Sequence, residues 1–313
     1  MTRLEAWLDE DPARLDQRDE DGRTPVARLA HALTGEQSIP LAPGPETDEA
    51  LLQRILARGA DPDIGTEDGW TPLHTAAMSG HTRLAKILLD AGASVHVHTK
   101  ESPDATPLCW ALFYAQIETA ELLAAHETAP EGLRTDAALG RPLDRWFDAD
   151  GNLQPGAMGG RGFYRPSDGF PVWEPILDRQ TTLDESLSWA ARNNRVDAMA
   201  ALVGRGANVN ANPYRGTPLL WATYAAQHDA IRWLVDQGAD VNLQHDFGGA
   251  DHGKGATALH LAAQFGALDT IHLLLDLGAD RMLRDGNFEG IPAEWAYHCE
   301  QPEAVQLLLP QKD

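Results

Sequence analysis

Short hydrophobic stretches recur along the chain at intervals of about 33 residues, a spacing typical of stacked structural repeats. The clearest copy covers residues 67–99, EDGWTPLHTAAMSGHTRLAKILLDAGASVHVHT, and it returns from Tyr214 and from Gly255. In the second half of this copy, apolar residues such as Leu84 and Leu88 fall on one face of a helix. The pattern therefore predicts pairs of short helices.

Residues with particular backbone preferences mark where these helices start and stop. A threonine that can cap the first helix is followed by a proline, at a position where a missing N–H costs nothing. Paired alanines let neighbouring helices approach closely, and a glycine ends the second helix in a left-handed conformation. The positions are Thr71, Thr106, Thr217 and Thr257, then Pro72, Pro107 and Pro218, the pairs 76–77, 190–191 and 262–263, and Gly59, Gly92, Gly206, Gly238 and Gly278.

Together these units resemble the ankyrin repeat at nearly every signature position. The resemblance implies an all-α fold, an ankyrin-repeat solenoid of about eight helix pairs with finger loops and one long inserted loop. It implies protein recognition through the concave groove formed by the fingers and first helices. It also gives His74 and His260 the role of bracing neighbouring loops by hydrogen bonds. The short loops, the Trp-Ala pairs and the insertion look like those of bacterial ankyrin-repeat proteins.

We expect one continuous solenoid over residues 1–313, divided by the positions of the repeats. The N-terminal capping helix is placed within 1–20, and the C-terminal capping repeat at 287–313. Between them lie a repeat at 24–64 with an inserted loop at 34–47, repeats at 67–99 and 100–130, a degenerate helix pair at 131–149, the insertion loop at 150–184, repeats at 185–213 and 214–246, and a repeat with an extended finger at 247–286.

The insertion at 150–184 combines many Gly and Pro residues with aromatic and arginine side chains. Disordered linkers seldom carry so many aromatics, so we expect an ordered loop. Arginines and aromatics are favoured at binding hot spots. The alternative is that the rings plug the joint between the degenerate repeat and the next one. The candidate binding residues here are Arg161, Phe163, Tyr164, Arg165, Phe170 and Trp173.

Two fingers carry histidines that invite a metal or acid–base interpretation. The finger QHDFGGADHGKG, residues 244–255, holds His245, Asp246, Asp251, His252 and Lys254. Two His and two Asp could bind a divalent ion, but the spacing matches no metal motif, and an exposed turn needs the same residue types. His96 and His98 share one side of another finger without an apparent third ligand. We predict no metal and no cofactor, and we assign Asp251, His252 and Lys254 to binding.

Aromatic residues near the helix starts fall into two groups. Trp70 and Tyr214 precede the Thr-Pro element on the fingers, so we expect them to be accessible and to join the binding site. A tryptophan immediately before the small pair of a first helix is expected to pack in the core or between repeats. This second group comprises Trp110, Trp189, Trp221 and Trp295.

Composition narrows the functional classes. The 25 Lys and Arg against 47 Asp and Glu give a net charge of −22, which repels nucleic acid and anionic membranes. A basic protein partner would fit this charge, although solubility explains it equally simply. No run approaches the roughly 20 apolar residues that span a bilayer, and the first residues lack a signal-peptide core. We expect a cytoplasmic monomer with two buried thiols, Cys109 and Cys299.

These observations favour a protein–protein interaction module over an enzyme, because no catalytic or nucleotide-binding motif is found. A more specific version of the hypothesis is an immunity or regulatory protein that masks a basic enzyme. The alternative is an enzyme whose insertion covers a site formed by His245, Asp251, His252 and Lys254.

Overall fold

The computed structural model describes residues 12–35, 48–100, 104–126, 132–160, 176–244 and 254–309. In these ranges the chain forms fifteen α-helices and three short 3-10 helices, and an isolated bridge pairs Phe147 with Leu153. The predicted all-α fold is confirmed. The chain divides into two compact units, one before and one after residue 130.

The first unit contains three helix pairs. The first helix of each pair packs against the first helix of the next, and α4 also packs against α6. The pairs are α1 Pro25–Leu33 with α2 Asp48–Ala57, α3 Pro72–Ser79 with α4 Thr82–Asp90, and α5 Pro107–Phe113 with α6 Ile117–His126. A 3-10 helix at Pro12–Asp16 precedes α1. It is the described part of the predicted N-terminal capping helix, whose earlier residues lie outside the described ranges.

The second unit contains one single helix followed by four pairs. The helices are α7 Leu133–Leu139, α8 Arg179–Arg192 with α9 Val196–Val203, α10 Pro218–Tyr224 with α11 His228–Asp236, α12 Ala258–Gln264 with α13 Leu268–Asp276, and α14 Pro292–His298 with α15 Pro302–Leu308. The first helices α7, α8, α10, α12 and α14 form a packed row. Fully buried residues such as Ile231 and Leu274 on the second helices complete the core.

Threonine caps start the first helices as predicted. The hydroxyl oxygens of Thr24 and Thr217 accept the N–H of Ala27 and Leu220, each at 3.2 Å. Side chains in this role satisfy backbone groups that the helix itself leaves without partners. At the other end of each pair, the predicted glycines adopt positive φ, for example 92° at Gly92.

Buried histidines extend two of these caps into bridges between repeats. His74 Nδ1 accepts the Thr71 N–H at 3.1 Å, and its Nε2 lies 3.0 Å from the Ala105 carbonyl of the next finger. His260 repeats the arrangement, with its Nε2 3.1 Å from the Gly290 carbonyl. Both rings are fully buried, and burial lowers the pKa of His74 to about 4. The bracing role implied by the family resemblance is confirmed.

A second set of bridges follows the turns after the second helices. In each case an Asp or Asn side chain accepts the backbone N–H of a turn that follows a second helix. Asp63, Asn210 and Asn242 lie in the equivalent turn of the preceding repeat, whereas Asp16 ends the first 3-10 helix and Asp184 lies within α8. We call this set the Asx ladder. Its steps join Asp16 to Asp61 at 2.9 Å, Asp63 to Ser94 at 3.0 Å, Asp184 to Asn208 at 2.7 Å, Asn210 to Asp240 at 2.9 Å and Asn242 to Asp280 at 2.8 Å.

The structure corrects two predicted boundaries around the insertion. The predicted helix pair at 131–149 has one α-helix, after which the chain forms 3-10 turns at Asp144–Trp146 and Pro155–Met158. The predicted insertion loop at 150–184 ends too late, because α8 already begins at Arg179. Asp178 caps this helix by accepting the Thr181 N–H at 2.8 Å, an interaction that lengthens α8 toward the insertion.

The predicted burial of one of the two cysteines is also wrong. Cys109 is buried within α5, as predicted, but Cys299 is exposed. Cys299 follows directly after α14, at the end of the second unit, where only α12 and α15 contact that helix strongly. The apolar run that suggested burial therefore does not reach this sulfur.

Candidate binding surface

The predicted binding residues divide between described and undescribed parts of the chain. Arg161, Phe163, Tyr164, Arg165, Phe170, Trp173, Asp251 and His252 lie outside the described residues, as do His245 and Asp246. Trp70, Tyr214 and Lys254 are described. Lys254 is exposed, and its carbonyl accepts the Gly286 N–H at 2.7 Å, which ties this finger to the next one.

In the first unit, Trp70 belongs to an aromatic cluster. Its indole N–H donates to Thr75 Oγ1 at 2.9 Å, and its ring meets Trp110 edge-on with centroids 4.8 Å apart. Trp110 in turn stacks with Tyr114 at 6.0 Å. Trp70 and Tyr114 are half-buried, whereas Trp110 is buried, as its position before the small residue predicted. The cluster presents a rigid, partly exposed aromatic surface.

In the second unit, an arginine is enclosed by aromatic rings. The guanidinium carbon of Arg192 lies 3.6 Å from the Trp221 ring centroid, 5.5 Å from Tyr224 and 5.9 Å from Trp189. Arg192 is only 3% exposed. Such contacts between a cation and ring faces are strengthened when water is excluded. The rings therefore hold this positive charge in one place.

A second arginine lies beside Tyr214 at the tip of the finger before α10. The Arg215 guanidinium carbon is 4.9 Å from the Tyr214 ring centroid, and the Trp221 indole N–H donates to the Tyr214 carbonyl at 3.3 Å. Burial raises the pKa of the Tyr214 hydroxyl, while Arg215 and Arg192 act in the opposite direction.

The expectation that Tyr214 is accessible is wrong, because the residue is 8% exposed. Its ring packs beneath Arg215. The side chain that this finger presents is Arg215, which is half-buried and whose pKa is lowered by burial. We call Arg192, Tyr214, Arg215, Trp221 and Tyr224 the arginine–aromatic cluster.

The backbone at Arg215 is unusual for a residue with a side chain. Its φ is 52°, in the left-handed region, which costs a non-glycine residue roughly 1–2 kcal/mol. Gly69 and Gly255 occupy the same position in other fingers, two residues before the first helix or its cap, with φ of 82° and 69°. Glu289 also has a φ of 52° at this position, whereas Asp104, at the equivalent position before α5, is a non-glycine residue without a positive φ. The finger thus has an arginine at a position where glycine would adopt the backbone conformation without strain.

Sequence reasoning missed both arginines of this cluster. Arg192 lies three residues after Trp189 on α8, a spacing that places the two side chains on one helix face. Arg215 immediately follows Tyr214, where comparison with Gly69 and Gly255 could have identified it. The spacing of Arg192 from Trp189 and the replacement of glycine by Arg215 are both visible in the sequence.

Beside the cluster, a buried ion pair joins α7 to α8. Arg134 Nη1 lies 2.8 Å from Glu185 Oε1, with both side chains 1% exposed, and the guanidinium also stacks 4.3 Å from the Trp189 centroid. Arg134 additionally donates to the Gly160 carbonyl. Asp136, on the same helix, accepts the Trp146 indole N–H at 2.7 Å. These contacts fix residues 144–160, which lead into the undescribed part of the insertion.

Charge is distributed unevenly between the two helices of each pair. In the second unit, α10 and α12 contain no Asp, Glu, Lys or Arg. The second helices of this unit carry Asp197, Asp229, Asp236, Asp269, Asp276 and Glu303 against the single base Arg232. Further acids lie in the turns and fingers, among them Asp240, Asp280 and Asp285.

The described ranges contain no candidate metal site and no candidate membrane span. No group of three or more His, Cys, Asp or Glu residues that could hold a metal ion occurs there. No helix in the same ranges is long and apolar enough to cross a membrane. The proposed catalytic residues other than Lys254 lie outside these ranges, so their geometry is not described.

Comparison with known proteins agrees with the repeat architecture. A family model for ankyrin repeats in three copies matches residues 45–132 and 177–245, and a model for ankyrin repeats in many copies matches residues 219–275. These matches cover more than half of the chain. The chain belongs to the ankyrin-repeat family.

Individual relatives are similar to this chain over short stretches, or over a longer stretch at lower sequence identity. The nuclear factor NF-kappa-B p105 subunit of Gallus gallus is 40% identical over 85 residues, 27% of this chain and 7% of that protein. The 2-5A-dependent ribonuclease of Mus musculus is 32% identical over 28% of this chain and 12% of its own length. The ankyrin repeat domain-containing protein SAT10 of Stachybotrys chartarum is 26% identical over 83% of this chain and 12% of its length. The chain thus spans a small part of each relative.

Among solved structures, the human ASB11 ankyrin repeat domain is similar to this chain at 20% sequence identity. The alignment covers 93% of this chain and 100% of that domain, with a TM-score of 0.36.

Proposed function

We propose that the chain is a non-catalytic protein-binding module that uses the surface formed by its fingers and first helices. Ankyrin repeats generally serve protein–protein interaction, and the chain belongs to this family. The observation that carries the proposal is the arginine–aromatic cluster of the second unit. Arginine, tryptophan and tyrosine are the residues most enriched at binding hot spots.

Other candidate contacts extend this site. Trp70 offers a half-buried ring in the first unit, and Lys254 offers an exposed charge on a finger of the second unit. The aromatics and arginines of the insertion, together with Asp251 and His252, remain part of the proposal. Arg134 supports them indirectly, because it holds the Gly160 carbonyl at the start of that segment.

Further proposals concern the partner protein, the oligomeric state and the cellular location. We propose a cytoplasmic monomer that acts as an immunity or regulatory protein. A basic enzyme bound at the fingers and first helices would also be attracted by the acids of the second helices, where Asp236 and Asp269 are exposed. Co-expression with such an enzyme tests this role: Asp236→Asn and Asp269→Asn together should weaken protection, and unchanged protection would contradict a basic partner.

The test of the binding module is partner capture with three forms of the chain. The first is intact, the second carries Trp70→Ala and Tyr224→Ala, and the third replaces residues 161–175 with a Gly-Ser loop. The third form leaves Gly160 and the Asp178 cap in place, so both ends of the segment keep their hydrogen bonds. A stoichiometric partner that is retained by the intact chain and lost by either altered form would support the proposal.

Gln306→Ala, at an exposed and uncharged position of α15, is the matched control and should retain the partner. Circular dichroism first confirms that every form is folded. Retention of the partner by all forms would refute the proposed surface. Turnover of a substrate by the intact chain, abolished by Lys254→Ala, would instead favour the enzyme alternative.

A further inference from the structure

We propose that Asp63 makes one step of the Asx ladder sensitive to pH. A proton on its carboxyl group completes the step, and loss of this proton weakens the step as the pH rises. The step joins the turn after α2 to the turn after α4, so it holds two repeats of the first unit together. The inference goes beyond the proposed function, because it concerns the stability of the repeats and is independent of any partner.

The first reason is the donor that accompanies the ladder steps of the second unit. Asn210 accepts the Asp240 N–H at 2.9 Å, and its amide nitrogen donates to the Gly238 carbonyl at 3.1 Å. Asn242 repeats both contacts with the following turn, at 2.8 Å and 3.2 Å. An asparagine can do this because its amide combines an acceptor oxygen with a donor nitrogen. One side chain therefore satisfies both an N–H and a C=O of the next turn.

The step at α8 keeps both contacts although its acceptor is an aspartate. Asp184 Oδ1 accepts the Asn208 N–H at 2.7 Å. Gln180 Nε2 donates to the Gly206 carbonyl at 3.0 Å and also to Asp184 Oδ1 at 2.8 Å. A neighbouring amide thus supplies the donor that the carboxyl group lacks.

At the Asp63 step a carboxyl group takes the place of the asparagine amide. Both of its oxygens face the Ser94 N–H, at 3.0 Å and 3.1 Å. An ionised carboxylate only accepts hydrogen bonds, whereas a protonated carboxyl group also has one O–H donor. The acceptor equivalent to the Gly238 carbonyl is the carbonyl of Gly92. The protonated form of Asp63 can therefore make both contacts of an asparagine step, and the ionised form can make only one.

The second reason is the electrostatic environment of the carboxyl group. Burial raises the pKa of Asp63, the Ser94 N–H acts in the opposite direction, and the charge of Asp61 raises the pKa further. Asp61 is held close because its side chain accepts the Asp63 N–H at 2.8 Å. The surroundings thus favour the protonated form that the geometry requires.

Other charged groups lie on the elements that meet at this step. Asp16 accepts the Asp61 N–H at 2.9 Å, and Asp90 at the end of α4 is paired with Lys86. The remaining titratable groups of these turns and helix ends are Arg58 and His96. Among the charged groups in the described part of the chain, Asp61 is the one that shifts the pKa of Asp63.

The direction of the pH dependence follows from the raised pKa. The ordinary value for Asp is 3.8, so the folded chain keeps this proton at pH values at which the unfolded chain has released it. The contribution of Asp63 to stability is complete below pH 3.8 and is lost as the pH rises through its folded-state pKa. His74 acts in the opposite direction, so the test compares variants in which His74 is unchanged.

The test exchanges Asp and Asn between equivalent steps and follows urea unfolding at about pH 7 and at about pH 4. Asp63→Asn supplies the amide at every pH, so it should raise the urea midpoint at the higher pH, and this gain should shrink at the lower pH. Asn210→Asp should do the reverse in the second unit, with a loss that is larger at the higher pH. Asp68→Asn removes one negative charge at an exposed position of the first unit and is the matched control, whose effect is subtracted.

Carboxyl carbon NMR of the intact chain measures the titration of Asp63 directly, and its midpoint should lie above 3.8. A midpoint at or below this value would overturn the inference. So would an Asp63→Asn variant that is no more stable than the control at about pH 7, or a gain that stays the same at about pH 4. Partner capture tests the binding module separately, because none of its altered forms changes Asp63.

Discussion

Replacing His74 with leucine tests whether the buried histidine bridges stabilise the repeat stack. The ring joins Thr71 to the Ala105 carbonyl of the next finger, and it is fully buried. Leucine occupies the equivalent position in α10, at Leu220, so the side chain itself is compatible with the helix. His74→Leu thus removes the bridge with little change in packing.

The expected magnitude follows from the two backbone groups that lose their partner. A buried polar group left without a hydrogen bond costs about 1–3 kcal/mol, and the Ala105 carbonyl keeps a longer contact with the Thr99 N–H at 3.4 Å. We therefore expect His74→Leu to lower the free energy of unfolding by about 2–4 kcal/mol at neutral pH.

The loss should depend on pH in a definite direction. Burial lowers the pKa of His74 to about 4 from its ordinary 6.5. The unfolded chain therefore binds this proton before the folded chain does, and stability tied to His74 is complete above pH 6.5 and declines as the pH falls toward 4. The difference between the two pKa values corresponds to about 3 kcal/mol of stability, at about 1.4 kcal/mol per pH unit.

Urea unfolding followed by tryptophan fluorescence and circular dichroism measures the effect between about pH 7.5 and about pH 4.5. The difference between the intact chain and His74→Leu should shrink as the pH falls. Thr217→Val is the control: it loses the cap on the Leu220 N–H, worth about 1 kcal/mol, but leaves His74 untouched and so keeps the pH dependence. A difference between the intact chain and His74→Leu that stays constant across this range would refute the reasoning.

Three further substitutions test other contacts by urea unfolding. Arg134→Met should cost about 3–5 kcal/mol, because it leaves Glu185 buried without its ion-pair partner, and a loss below about 1 kcal/mol would contradict this. Gly216→Ala should cost about 1–3 kcal/mol, since an added Cβ would lie 2.5 Å from Leu220 Cδ2; an unchanged urea midpoint would show that the finger can shift. Asn242→Ala breaks one step of the Asx ladder and should cost about 1–2 kcal/mol, whereas no loss would mean that water replaces the side chain.

Much of the fold could be predicted because the repeat signature encodes local structure. Thr217 caps a helix, Pro218 occupies its first position and Gly238 ends the following pair, and each acts within a few residues of itself. The prediction was wrong where a side-chain contact longer than one helical turn decides the structure. Asp136 holds Trp146 in a 3-10 turn in place of a second helix, and no local pattern in residues 131–149 indicates that pair.

The candidate surface was less predictable than the fold. A finger position was taken as accessible, but Tyr214 is covered because Arg215 lies over its ring. The importance of Arg192 depends on Trp221, 29 residues later in the chain, which the repeat places beside it. Sequence periodicity locates such residues on a helix face, but it does not show which side chains stack together.

The Asx ladder has a consequence for how the stack opens. Each step lets one side chain hold the backbone N–H of a turn further along the chain, so the turns are tied together in sequence. Opening that starts at the C-terminal side removes one N–H donor at a time, and it meets a new hydrogen bond at every turn. In hydrogen exchange, the amides of Asn208, Asp240 and Asp280 should therefore form a graded series, with Asp280 exchanging first.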